Sequence, residues 1–222
     1  VNNATELADA ISNAADGAVI PVSGAIDQTS LNTSGKSVTI VGMTEDAAIN
    51  ASTQSNYISA EGSNITFKNM TFKFPLDPNH AASGINADGG NLVFENCKFE
   101  GSAVISEGVV VYNYCEFNNV EGKYAAFVYA GNVTYNNCYF KAKNRAVKVY
   151  GDMTGLKVTY NDCTFEALEA NKAAVEFDTS NTCKDGNILN DYNEVTINNA
   201  TVINMGQAEH WGTEVFNLEG GY

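Results

Sequence analysis

The chain has 222 residues, 44% of them hydrophobic, and a formal net charge of −14 at pH 7. This length supports one sizeable hydrophobic core and does not require a second domain. The acidic balance disfavours nucleic acid and anionic membranes as partners, because both repel a strongly negative protein. No apolar segment is long enough for a transmembrane helix, so membrane insertion is not predicted.

Residues 1–18 predict a short helix that covers the N-terminal end of the core. Capping residues precede Leu7 and Ile11, which fall on one helical face, and Asp16-Gly17 ends the helix. These residues do not resemble a signal peptide, because they contain neither a basic segment nor a long apolar stretch. If the protein is secreted, we expect its signal to have been removed already.

Residues 19–222 predict a solenoid, because one eight-residue template recurs along them. The template reads apolar, any, apolar, two polar, small or sulfur-containing, any, apolar. The first pair stands at odd positions of the template and the second pair at even positions, so the two pairs have opposite parity. Because successive side chains of a strand point to opposite faces, a straight strand would expose one of the pairs. The second polar residue is usually Asn or Asp, which tolerates left-handed backbone angles. We therefore predict two short strands meeting at a bend in the copies at 65–72, 92–99, 110–117, 133–140, 158–165 and 195–202.

A third strand precedes most copies of the template. The predicted fold is therefore an all-β, right-handed, single-stranded parallel β-helix of about eight coils, with three short strands per coil. It forms one domain over residues 1–222, either complete or a piece of a longer surface protein. Equivalent residues should stack in two ladders, one aromatic (Phe72, Phe99, Phe117, Phe140 and Phe165) and one containing sulfur (Met70, Cys97, Cys115, Cys138 and Cys163).

The stacked cysteines are predicted to be buried thiols. In-register parallel strands point their Cβ atoms the same way, which is poor geometry for a disulfide. Cys183 lies in a predicted loop, and the sequence suggests no partner for it. No cysteine or histidine spacing indicates a zinc site.

Two segments of the sequence resemble a known family. ATELADAISNAADGAVIPVSG, followed by SVTIVG, resembles the N-terminal start of the pectin lyase-like superfamily of right-handed β-helices. KNRAVKVYGD and VTYNDCTF resemble repeats in bacterial secreted surface proteins of that superfamily, which are described as adhesins. The resemblance implies the fold and a secreted or cell-surface location. It leaves function open, because this fold carries lyases, hydrolases and non-catalytic adhesins alike.

The motifs expected of the enzymes in this superfamily are not found in the sequence. Pectate lyases are expected to combine a calcium-binding carboxylate cluster with an Arg base. The one arginine, Arg145, lacks the flanking basic and Pro residues of that motif. The polygalacturonase motifs are not found either, and neither His80 nor His210 lies in a recognisable motif. We therefore predict no catalytic residues and expect a protein that is not an enzyme.

Three carboxylates form the candidate metal site. Aligning the third strands on the glycine that usually follows them puts Glu61, Asp88 and Glu107 at equivalent positions in consecutive coils. Stacked carboxylates repel one another, and a hard cation such as calcium would relieve that repulsion. Calcium is thus the one cofactor considered, and a solvated acidic face is the alternative interpretation.

Three aromatic residues are the candidate ligand contacts: Tyr139, Tyr150 and Trp211. The net charge favours a neutral glycan, a mucin-type sugar or a protein over polygalacturonate. The predicted function is that of a non-catalytic, secreted or cell-surface adhesin that binds an extracellular glycan or protein. Two alternatives stay open. One is a polysaccharide lyase or glycoside hydrolase that uses the stacked carboxylates, and the other is a structural spacer in a larger surface protein.

Overall fold

The computed structural model describes residues 1–28, 31–33, 35–51, 58–75, 83–150, 155–169, 174–178, 183–184, 187–188, 194–203 and 216–219. The described residues form one helix and 24 strands. In chain order these are α1 (Ala4–Asn13), β1 (Ala18–Val22), β2 (Ala25–Gln28), β3 (Leu31–Asn32), β4 (Ser37–Gly42), β5 (Ala48–Ala51), β6 (Ile58–Ser59), β7 (Asn64–Lys68), β8 (Thr71–Lys73), β9 (Ser83–Glu95), β10 (Lys98–Glu100), β11 (Val104–Asn113), β12 (Glu116–Asn119), β13 (Ala126–Val128), β14 (Asn132–Asn136), β15 (Tyr139–Ala142), β16 (Val147–Tyr150), β17 (Lys157–Asn161), β18 (Thr164–Ala167), β19 (Val175–Asp178), β20 (Cys183–Lys184), β21 (Asn187–Ile188), β22 (Glu194–Asn198), β23 (Thr201–Ile203) and β24 (Phe216–Glu219).

The predicted N-terminal helix is confirmed as α1. The Asn3 side chain accepts a hydrogen bond from the Glu6 backbone N–H at 2.9 Å, and the Glu6 carboxylate accepts one from the Asn2 N–H at 3.0 Å. This exchange satisfies two donors at the start of the helix. Leu7 and Ile11 are buried against the core, so α1 covers the first coil.

The strands stack in three parallel arrays, and each coil contributes one strand to each array. The first array contains β1, β4, β7, the second half of β9, the second half of β11, β14, β17 and β22. The second array is an eight-stranded sheet of β2, β5, β8, β10, β12, β15, β18 and β23. The third array contains β3, β6, the first halves of β9 and β11, β13, β16, β19 and β24. The fold is therefore a parallel β-solenoid, as predicted.

The bend between the first and second arrays has the predicted geometry. The second polar residue of all six template copies has a positive φ between 52° and 55°. A positive φ turns the chain at that residue, so the two flanking strands direct their apolar pairs into the same core. In VTYNNCYF, for example, Val133, Tyr135, Cys138 and Phe140 are all buried.

Two aromatic columns fill the core. The predicted ladder from Phe72 to Phe165 is confirmed, with neighbouring ring centroids 4.8–5.3 Å apart. A second column rises from the first array, with centroids 4.8–5.1 Å apart, and consists of Phe67, Phe94, Tyr112, Tyr135 and Tyr160. Rings of the two columns meet edge to face, as between Tyr112 and Phe117 at 5.0 Å. Stacked and edge-to-face contacts are both favourable aromatic geometries.

The sulfur-containing ladder also lies inside the core. Cys97, Cys115, Cys138 and Cys163 are buried free thiols, as predicted. Each thiol donates to backbone carbonyls, Cys115 for instance to Asn113 at 3.4 Å. Burial raises the pKa of the Cys115 thiol well above its usual value. All four thiols are buried in the core and unpaired, so we assign these cysteines to packing.

Two details differ from the prediction. About six turns carry the bent template, fewer than the predicted eight coils. The bend between β1 and β2 has a positive-φ glycine, Gly24, in place of the template's Asn or Asp, and no residue between β4 and β5 has a positive φ. In β9 and β11 the third strand of one coil also runs directly into the first strand of the next. Gly108 and Gly131 permit this close stacking, because both have positive φ and a Cβ at Gly131 would collide with the Gly108 backbone. In the described part of the chain, no helix has the length and apolar character needed to cross a membrane.

Candidate functional site

The outer face of the first array presents two regular rows of neutral side chains. The Thr/Val row contains one half-buried β-branched residue per strand: Thr39, Thr66, Val93, Val111, Thr134, Thr159 and Thr196. The Asn ladder lies beside it and contains Asn113, Asn136, Asn161 and Asn198. Each amide of the Asn ladder donates to the one before it, with every nitrogen–oxygen distance 2.8 Å. The Thr/Val row repeats once per coil from β4 onward. The Asn ladder covers the four coils from β11 to β22, and its register is occupied in the two preceding coils by the ion pair of Lys68 and Glu95.

The corner column is formed by the six positive-φ residues at the bends. All of them are exposed, and five are Asn or Asp: Asn69, Asn96, Asn137, Asp162 and Asn199. Asn96 donates to Asn69 at 3.4 Å, and Asn199 donates to Asp162 at 3.1 Å. The sixth member is Tyr114, which has a φ of 55° and is 63% exposed. It is the one aromatic residue at this position of the template.

The outer face of the second array is charged, and its charges are paired across coils. Lys98 lies 3.3 Å from Glu116, and Lys141 lies 3.3 Å from Glu166. The half-buried Tyr139 donates its hydroxyl to Glu166. Ion pairs between neighbouring coils therefore compensate part of the charge on this face.

A buried carboxylate links three successive coils through the third array. Glu176 has a side chain only 4% exposed, and its Oε2 lies 2.6 Å from Arg145 Nε. The Tyr124 hydroxyl donates to the same oxygen at 3.0 Å. Lys148 Nζ lies 3.5 Å from Oε1 and 6.0 Å from the Tyr124 ring centroid. Both carboxylate oxygens of Glu176 thus face cationic or hydroxyl donors.

This arrangement suits anchoring better than catalysis. Burial, followed by the charge of Glu176, raises the pKa of Tyr124, so its hydroxyl is a proton donor and not a phenolate base. Glu176 is enclosed by its partners and is not presented to a substrate. The Tyr124 side chain is likewise buried, at 5% exposure. We therefore assign these four residues to holding the coils together.

The predicted calcium ligands do not form one stack. The strands on either side of Glu61, β6 and β7, both pair with β9 at the same residue offset. This shared register places Glu61 opposite Asp88. Glu107, however, pairs with Asn86, and the register then shifts between Gly108 and Val109. Asp88 therefore lies in a segment of β9 that has no partner on β11, and its alignment with Glu107 was wrong. In the described residues, no group of three or more acidic, Cys or His side chains is arranged for a metal.

The three predicted ligand-binding aromatics lie in different parts of the chain, and the structure describes two of them. Tyr139 lies on the outer face of the second array, half-buried and bonded to Glu166. Tyr150 ends β16 and pairs with Asp178, which in turn pairs with Glu219. Trp211 lies outside the described residues. Their roles in binding stay predictions.

Sequence reasoning missed Glu176 and its partners, and it also missed Tyr114. The Glu176 cluster had no visible signal, because its members lie far apart in sequence and meet only when the coils stack. Tyr114 did have a signal, since it replaces the Asn or Asp of the template at a bend. Comparison with known proteins gives no match to a family model, to a curated protein or to a solved structure.

Proposed function

We propose that this protein is a non-catalytic, secreted or cell-surface β-solenoid that binds an extracellular glycan or protein, as an adhesin does. The observation that carries the proposal is the pair of neutral rows on the first array, of which the Thr/Val row repeats once per coil from β4 onward and the Asn ladder over four successive coils. Parallel strands lie about 4.8 Å apart, so the rows offer methyl, hydroxyl and amide groups at a fixed short interval. A regular surface of this kind suits an extended partner that also repeats.

The rigidity of the rows supports the proposal. The Thr/Val row lies directly over the buried aromatic columns, and the Asn ladder is fixed by its own hydrogen bonds. A preformed surface loses little conformational entropy when a partner binds. The contacts at each coil can therefore be weak individually and still add along the solenoid.

The charge distribution supports a neutral partner for this face. Although the protein carries −14, the charges that border the rows are paired across neighbouring coils. Lys68 lies 2.6 Å from Glu95, and Lys157 lies 3.4 Å from Glu194. The face therefore neither attracts nor repels an uncharged polymer, while the rest of the molecule repels polyanions.

A binding assay on immobilised mucin, plant cell-wall fragments and matrix proteins tests the proposal. We expect the wild type to be retained on at least one of these surfaces, and Thr134→Glu to reduce retention by placing a charge in the Thr/Val row. Thr201→Glu, which adds the same charge to an exposed position on the second array, is the matched control. Periodate and protease treatment of the surface then distinguish a glycan from a protein partner.

Catalysis is tested on the same samples. The protein is incubated with plant and host polysaccharides, with and without calcium, and new reducing ends and unsaturated uronates are measured. Product formation that disappears in Glu107→Ala would overturn the non-catalytic proposal. Retention without any product supports it, and failure to bind every surface would favour the structural spacer instead.

A further inference from the structure

Tyr114 occupies a backbone conformation that its side chain disfavours. Its φ of 55° lies in the left-handed region, where Asn and Asp are tolerated and bulky side chains are rare. The five equivalent corners follow that preference. Packing does not compensate Tyr114, because its side chain is 63% exposed. Backbone strain at an exposed aromatic residue is a feature of functional sites.

Tyr114 also interrupts the corner column. On one side Asn96 bonds to Asn69, and on the other side Asn199 bonds to Asp162. A tyrosine offers no amide to Asn96 or Asn137 on the neighbouring coils. In the described part of the chain, the Asn137 side chain makes no hydrogen bond. An asparagine at position 114 would suit both the backbone and the column, so stability does not explain the tyrosine.

The surroundings of Tyr114 are polar and uncharged overall. Asn96 and Asn137 are exposed on the adjacent coils. The nearest charged side chains of the second array, Lys98 and Glu116, neutralise each other at 3.3 Å. Tyr139 lies one coil further on, and its ring is held by the hydroxyl bond to Glu166. Asn96 and Asn137 therefore occupy the corners before and after Tyr114, and Tyr139 lies on the neighbouring face of the second array, where it pairs with Glu116.

We propose that Tyr114 is the stacking residue of a binding site for a neutral pyranose glycan, with Asn96 and Asn137 as the polar contacts. This inference rests on the proposed binding function and names its ligand class and its central residue. One face of a pyranose ring presents C–H groups that pack against an aromatic ring. The hydroxyl groups at the edge of the sugar match amides, which donate and accept hydrogen bonds. A uronate would carry a negatively charged carboxylate, and among the described residues of this site no unpaired cation is available to bind it.

The test is electrophoresis in native gels that contain galactomannan, xyloglucan or β-glucan, with polygalacturonate as the acidic comparison. We expect the wild type to be retarded by at least one neutral polymer. Tyr114→Asn should raise the apparent Kd by about tenfold or more, because it removes the aromatic face. Tyr114→Phe keeps that face and should stay within about twofold of the wild type.

Asp162→Asn is the matched control, because it changes another exposed residue of the corner column two coils away. Each variant is compared with its own mobility in gels without polymer, which corrects for charge. The inference is supported if only Tyr114→Asn loses retardation while its thermal unfolding stays at or above that of the wild type. Equal retardation of Tyr114→Asn and wild type would overturn the inference and leave the proposed function standing.

Two further outcomes are decisive. Retardation by polygalacturonate alone would overturn the neutral ligand class. No retardation in any gel would overturn the glycan site, and retention on protease-sensitive surfaces would then preserve the proposed function with a protein partner. The failure of the site and the failure of the function are thus distinguished.

Discussion

Asn or Asp occupies five of the six template bends of the solenoid. Asn and Asp at the corners adopt left-handed angles at low cost and add hydrogen bonds between coils. Tyr114 shows what happens when this choice is broken, because the backbone keeps its φ of 55° although the side chain disfavours it. The neighbouring coils therefore impose the corner, and residue preference supports it without deciding it.

Tyr114→Asn is expected to stabilise the protein by about 1 kcal/mol, because left-handed strain is removed. Urea unfolding followed by circular dichroism measures the change in the free energy of unfolding. The reverse substitution at an equivalent corner, Asn137→Tyr, should destabilise by a similar amount. A Tyr114→Asn variant that is less stable than the wild type would contradict this account.

The tyrosine hydroxyls in the core differ in their hydrogen bonding. Tyr112 Oη lies 2.8 Å from the buried Ser106 Oγ. The hydroxyls of Tyr135 and Tyr160, one and two coils further, are buried and have no hydrogen-bond partner in the described structure. An unsatisfied buried hydroxyl costs stability, whereas a satisfied one contributes to it. The three rings otherwise pack alike, at 4.8 and 5.0 Å from their neighbours.

Tyr135→Phe should therefore be neutral or stabilising by up to about 1 kcal/mol, whereas Tyr112→Phe should cost about 1 kcal/mol by leaving Ser106 unsatisfied. The two variants control for each other, since both remove one hydroxyl from stacked rings. Thermal unfolding of the pair gives the comparison. A larger loss for Tyr135→Phe than for Tyr112→Phe would show that its hydroxyl has a partner after all.

At the scale of elements, the third array contains a buried charge network, whereas the second array contains an exposed ion pair between Lys98 and Glu116. Glu176 on β19 binds Arg145 and Lys148, and its side chain is 4% exposed. The Lys98–Glu116 pair between β10 and β12 has side chains 54% and 53% exposed. Water screens the exposed pair and not the buried one, so the two should differ in their effect on stability.

Glu176→Gln is expected to lower the free energy of unfolding by about 3 kcal/mol, because Arg145 and Lys148 lose their shared buried counter-charge. Glu116→Gln is the control and should change it by about 0.5 kcal/mol or less. Chemical denaturation of both variants provides the measurement. Similar small effects at the two positions would mean that the coils are not anchored through Glu176.

At the scale of the whole molecule, most of the fold was predictable and most of the site was not. The parity of the apolar pairs predicted the bends, and the recurrence of the template predicted the parallel stacking and the aromatic ladder, because equivalent residues of successive copies stack. The alignment of Glu107 with Asp88 failed because three extra residues in β9 shift the register. The Glu176 cluster joins residues of separate coils, and no local pattern encodes such contacts.

Stability of the whole core should fall at alkaline pH. Burial raises the pKa of Tyr112, Tyr135 and Tyr160 in the folded protein, whereas an exposed tyrosine in the unfolded chain titrates near pH 10. Between these values the unfolded chain releases protons that the folded chain keeps, so unfolding becomes easier as the pH rises above about 10. Below that pH these residues add no pH dependence.

Urea midpoints measured from pH 8 to pH 12, together with phenolate absorbance, test this expectation. The phenols of Tyr112, Tyr135 and Tyr160 should ionise only when the protein unfolds. A Tyr135→Phe, Tyr160→Phe double variant should show a shallower loss of stability. If all 11 tyrosines titrate while the circular dichroism is still native, the core is more open to water than its burial implies.

The extra segment at Asp88 has a consequence for how such a protein can change its length. The coil that contains it is longer than the next, yet the strands on either side of it keep their pairing and the corners keep their φ. The circumference of a coil is thus set locally, whereas each coil adds the same rise of about 4.8 Å. Gene duplication of one coil would extend the rod and its outer rows by that step and leave every existing interface intact. Duplication of coils would therefore allow such a protein to contact a longer partner through the same repeated surface.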